Sequence, residues 1–197
     1  MKRPEQRSAG RAEKGIILKS SREIELMRNA GRVVRKVHER LREMVRPGVT
    51  TAELNAEAER MIEVSGGQAL FKGVVNPQAR FPFPAALCTS VNDELVHGIP
   101  GQRALKDGDV ISIDCGVRLD GYCGDAAVTH AVGSVAPDVQ RLLDLTSGAM
   151  DLAIAEIRPG RRRSEAARTV PAYVEKQSFS VVREFVGHGI GRDFHEG

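Results

Sequence analysis

The stretch DGDVISIDCGVRLDGYCGDAAVTHAVG, residues 107–133, decides the architecture. Its β-branched residues alternate with small or polar ones, and Asp120-Gly121 breaks the run with the pair favoured in two-residue hairpin turns. A turn there sets Asp114 opposite Ala127 and Gly116 opposite Asp125. Because side chains alternate between the faces of a strand, these four share one face, while Ile111 and Ile113 take the other. Diagonal neighbours in such a pair lie roughly 7–8 Å apart at the backbone, and closer at their carboxylates. Two converging carboxylates repel until one takes up a proton, unless bound cations keep both ionised. Gly116 and Ala127 leave room for such ions. Spacing alone is equally served by two exposed hairpin charges, so the rest of the chain must decide.

Upstream, Ser20 to Glu23 fits a capping box. After it, Ile24, Met27, Ala30, Val34, Val37, Leu41 and Met44 recur every three or four residues, predicting a long amphipathic helix. Arg46-Pro47-Gly48 ends it, and a second helix from Thr51 stops at Gly66-Gly67. Downstream, Pro137 opens another helix, Arg158-Pro159-Gly160 interrupts, and a further helical stretch runs to about Gln177. Each helical pair is followed by a His-Gly-Ile triplet, at His97 and at His188. Shared order of these signals points to an internal duplication. Within the pattern His38 reads as a solvated surface residue of the first helix, and His130 as a strand-end residue that packs or faces water.

With 197 residues and 41% hydrophobic content, the chain suits one compact domain, assigned to 17–197, after a loose basic tail over 1–16. A net charge of +3 leaves no nucleic-acid footprint. Cys88, Cys115 and Cys123 form no CxxC pair, which argues against structural zinc and for a reducing cytoplasm. No apolar run approaches membrane-spanning length. His188 stands between two glycines, with His195 close behind and His97 in SVNDELVHGIP. Glycines beside a ligating histidine let the backbone pass close to a metal or substrate.

SVNDELVHGIP, ISIDCGVRLDGYCGD and VVREFVGHGIGRDFHE together resemble the signature segments of the type I methionine aminopeptidases, over roughly Ile17 to Gly197. The resemblance implies an α/β (α+β) fold, the pseudo-twofold pita-bread architecture, here incomplete in its second half. It further implies two divalent metal ions, Mn, Fe, Co or Zn, with Asp114 and His188 each a ligand and Asp125 bridging both. A metal-bridged hydroxide would then remove the initiator methionine from nascent proteins. His195 would stabilise the oxyanion, His97 would hydrogen-bond the scissile amide, and Phe71, Phe83, Cys88 and Phe194 would line the methionine slot. The implied protein is a cytoplasmic monomer working near ribosomes. Arg161–Arg163 is a candidate RNA contact there, although a solvated helix entrance is the plainer reading.

Symmetry and resemblance agree on one further expectation. Few residues follow the second His-Gly-Ile, so its sheet strands and two family glutamate ligands are expected to be missing, leaving apolar sheet edges uncovered. The chain is therefore read as a fragment, with activity of the fragment alone in question. Two alternatives stay open: a non-catalytic binding protein of the same fold, and an X-Pro peptidase.

Overall fold

Each helix begins where a side chain or a proline prepares its first turn. In the computed structural model, which describes residues 17–77, 79–185 and 187–196, helix α1 spans Ser21–Met44 and α2 spans Thr51–Val64. The stretch 1–16 lies outside the described residues. Ser20 and Glu23 cap α1 reciprocally: the hydroxyl accepts the Glu23 amide at 3.4 Å and the carboxylate accepts the Ser20 amide at 2.9 Å. Thr50 and Glu53 repeat this for α2, at 3.2 and 2.7 Å. Two further helices, α3 over Pro137–Glu156 and α4 over Arg163–Glu175, follow later. There the Glu165 carboxylate accepts the Arg162 amide at 3.3 Å, the counterpart of the Glu53 cap. Gly48 and Gly160 close the two Arg-Pro-Gly turns in the same left-handed conformation, at φ 92° and 85°. The repeated motif thus carries a repeated backbone shape.

Four strands form one sheet: β1 Gln68–Ala69, β2 Leu87–Val91, β3 Val110–Leu119 and β4 Tyr122–Ala131. β3 pairs antiparallel with the other three. The β3–β4 register follows from the turn, where Asp120 and Gly121 both take positive φ, at 51° and 80°. Along its outer edge β4 has no strand partner among the described residues, and Ala126 to Thr129 are exposed, as expected for an uncovered edge.

Helix α1 lies across β3 and β4, burying Ala30, Val34, Val37, His38 and Leu41. Fully burying Val37 and Leu41 stabilises the fold by roughly 1.5–3 kcal/mol each. Gly124 permits the close crossing, since a Cβ there would sit 2.7 Å from the Ala30 carbonyl carbon and the Gly31 nitrogen. The crossing overturns the reading of His38 as a surface residue. Its position four residues after Val34 puts it on the buried face, where Nε2 lies 2.9 Å from the Ala126 carbonyl oxygen. That oxygen can only accept, so Nε2 carries the proton. His130 packs on the same side, paired with Ile111. Burial lowers the pKa of both rings and keeps them neutral.

The main core joins α1, α2 and the inner sheet face through residues such as Leu54, Ile62, Leu105, Ile111 and Ile113. A second, smaller cluster of Leu145, Ala149 and Val174 holds α3 against α4.

Candidate metal centre

The hairpin register pairs Asp114 with Ala127 and Asp125 with Gly116, and β2 adds Cys88 beside Asp114. All lie on the sheet face opposite α1. Burial first, and then the neighbouring Asp125 carboxylate, push the Asp114 pKa up to about 7. Burial also raises Asp125, against the opposing pull of His188 and His195. Asp125 Oδ1 is buried without a hydrogen-bond partner, and Oδ2 lies 3.6 Å from His188 Nε2. His188 Nδ1 stands 3.1 Å from the Gly189 carbonyl oxygen, which leaves Nε2 as the ring nitrogen facing Asp125.

The loop over 187–196 brings the remaining groups. Gly189 and Glu196 exchange backbone hydrogen bonds at 3.0 and 2.8 Å, and the Cys123 amide of β4 donates to the Gly191 carbonyl at 2.8 Å. This short closure gathers three rings in tilted and edge-on contact: His188 and His195 have centroids 4.3 Å apart, and Phe194 lies 4.3 Å from His195 and 5.4 Å from His188. Phe71 joins at 5.6 Å from Phe194. It fills the space over Gly116, where any Cβ would meet its ring at 2.8 Å. Cys88 completes a wall; burial and the two aspartates push its thiol up to about 12, which excludes it as a nucleophile at neutral pH.

Comparison with known proteins fits this arrangement. The model of metallopeptidase family M24 matches residues 25–197. The chain belongs to metallopeptidase family M24. It is 48% identical over 181 residues to methionine aminopeptidase 1 of Bacillus subtilis (strain 168), covering 92% of this chain and 71% of that protein. A methionine aminopeptidase of Clostridium perfringens (strain 13 / Type A) is 45% identical, covering 92% and 70%. The crystal structure of methionine aminopeptidase from Thermotoga maritima superposes with a TM-score of 0.87 at 34% identity, covering 93% of this chain and 72% of that one. The fold is accordingly the pita-bread α/β architecture of these M24 enzymes.

The donor set suits the metals of an M24 peptidase. Two crowded carboxylates and an orphaned carboxylate oxygen are acceptors that a cation would relieve, and a histidine ring nitrogen lies 3.6 Å from the partner oxygen. Among the described residues no group of three His, Cys, Asp or Glu side chains is placed to hold a metal ion. Two expected site residues stand apart. His97, at φ 61°, packs its exposed ring against Phe185 with centroids 6.1 Å apart. Its triplet is pinned to β2 instead, because a Cβ on Gly98 would sit 2.2 Å from the Thr89 carbonyl oxygen. Phe83 is half-buried, and its backbone bonds to Val74 and Gly73 at 2.8 Å close the loop that follows Phe71. Neither shares a ring contact with the histidine cluster among the described residues.

Proposed function

We propose that the protein removes the N-terminal initiator methionine from new polypeptides in the cytoplasm, as a monomeric metal-dependent aminopeptidase. One observation carries the reading: two half-buried carboxylates share a hairpin face, and His188 Nε2 lies 3.6 Å from an oxygen of one of them. Asp114, Asp125 and His188 would hold two divalent ions, with Asp125 between them. Such ligands accept Mn, Fe, Co or Zn, so availability selects the metal. When bound, the ions supply Lewis acidity toward the first peptide carbonyl and lower the pKa of water.

The chain's own groups do the rest. His195, beside His188 at the open side of the cluster, would donate a hydrogen bond where negative charge develops on the carbonyl oxygen. His97 would hydrogen-bond the scissile amide. Phe71, Phe194 and the unreactive Cys88 would form an apolar slot for an unbranched side chain, with Phe83 at its margin. A slot of this kind suits methionine, whose flexible thioether packs well on aromatic rings.

The test is a release assay on the metal-loaded protein with Met-Ala-Ser and an X-Pro peptide side by side. Methionine release that chelation abolishes is expected. Cleavage before proline without methionine release would overturn the assignment in favour of an X-Pro peptidase, and binding of metal without either cleavage, persisting when the two further glutamate ligands are supplied in a longer chain, would favour a non-catalytic role.

A further inference from the structure

The loop carrying His188, Phe194 and His195 is held by its own backbone bonds and also by side chains from the far end of the chain. Lys19, just before α1, forms an ion pair with Glu196, and both side chains are largely shielded, at 14% and 15% exposure. The other oxygen of Glu196 accepts the Arg192 and Asp193 amides at 2.9 and 3.3 Å. It fills the hollow over Gly191, which a Cβ would occupy only by displacing it, since Oε1 would lie 2.2 Å away. One turn along, the Tyr122 hydroxyl donates to Glu23 at 2.8 Å, while Arg192 reaches the same carboxylate at 3.5 Å. The Arg192 guanidinium also lies 4.6 Å above the Tyr122 ring.

We propose that Lys19, Glu23, Tyr122, Arg192 and Glu196 form a clasp by which the start of α1 positions the histidine loop over the aspartate pair. The clasp joins three elements distant in sequence: the entry to α1, the first residue of β4 and the loop itself. Each contributes a charge or a hydroxyl whose partner belongs to another. Glu23 serves twice, capping α1 and receiving Tyr122 and Arg192, so loop position is tied to helix entry. The catalytic consequence rests on the functional reading above, because it requires that His188 and His195 act on the substrate or its metals. These five are positioning residues, since none of them touches the aspartate pair.

The test compares Lys19→Met, Lys19→Arg and Tyr122→Phe in the full chain. Amide exchange at Gly189, Glu196 and Cys123 is followed without metal, and methionine release is followed with metal. Lys19→Met should speed exchange at Gly189 and Glu196 about tenfold, the scale of a lost hydrogen bond to a charged group. Lys19→Arg should restore it, and Tyr122→Phe should speed exchange at Cys123. Amides of α3 and α4 should keep their rates. In turnover, kcat should fall with KM nearly unchanged, because orientation is lost and not binding. Loop exchange at the parent rate, failure of Lys19→Arg to restore protection, or faster exchange spread equally through α3 and α4 would each overturn the clasp. Loosened loop amides in a protein that releases no methionine would instead leave the clasp standing and sink the functional reading.

Discussion

Asp125 shows how one residue can be both a liability and an asset. Its Oδ1 is buried without a partner, and burial first and the Asp125 carboxylate second push Asp114 up to about 7, so ionising both together is costly. Asp125→Asn should therefore raise metal-free stability in a urea melt while lowering turnover at least about a hundredfold, as loss of a metal ligand demands. Full activity with two bound metals would refute its bridging role. His38 and His130 give a pH prediction. Both have pKa values lowered by burial, so below the unfolded value of about 6.5 the unfolded chain takes up protons that the folded chain refuses. Stability contributed by the neutral rings is complete above that pH and falls as pH drops, by at most about 1.4 kcal/mol per pH unit for each ring. Urea melts at pH 7.5 and 5.5 should show His130→Leu losing less stability on acidification than the parent. The aspartate pair was legible because a two-residue turn dictates its own register. His38 was not, although its offset of four from Val34 was a usable signal: charged neighbours at Arg35, Lys36, Glu39 and Arg40 masked it. The Tyr122–Glu23 and Lys19–Glu196 contacts had no local signal, because their partners are 99 and 177 residues apart.

At the scale of elements, the hairpin works by parity. Asp114 and Asp125 share a face only while the turn holds two residues. One residue inserted between Asp120 and Gly121 would drive Asp125 toward α1 and bring Gly124 out, leaving no paired carboxylates. The crossing of α1 over β4 is as strict. Gly124→Ala would put a methyl group 2.7 Å from backbone atoms of Ala30 and Gly31, which cannot turn aside as a side chain would. We expect it to destabilise the protein by about 1–3 kcal/mol, the usual cost of overpacking, measured by thermal or urea unfolding. A neutral effect would mean that α1 shifts outward, with loss of the His38 bond to Ala126. The helices themselves were readable to within a residue or two, since caps, prolines and Arg-Pro-Gly stops mark their ends. The closeness of the crossing was not, because Gly124 is one glycine among twenty and nothing local distinguishes it.

Across the whole molecule, stability is uneven. The α1–α2–sheet core is continuous, whereas α3 and α4 rest mainly on each other through a small cluster, with Met150, Ile154 and Ile157 exposed. Regions with few buried apolar groups open first. Limited trypsin digestion should accordingly cut after Arg161 or Arg162, between α3 and α4, before any site from α1 to β4, as a timed mass-spectrometric digest would show. Earlier cutting within α1 would contradict this order. The internal repeat was visible in sequence as two helical pairs with matching stops, and so was the lack of sheet strands after the second; among the described residues the first pair packs on a sheet and the second mainly on itself. The union of Lys19 with Glu196 has a consequence in time. Ribosomes add about 5–20 residues per second, so a gap of 177 residues separates the births of the two partners by roughly 10–35 s. Helix α1 and the hairpin therefore have many folding times in which to settle before the histidine loop exists, and the loop is added onto a hairpin that has already formed.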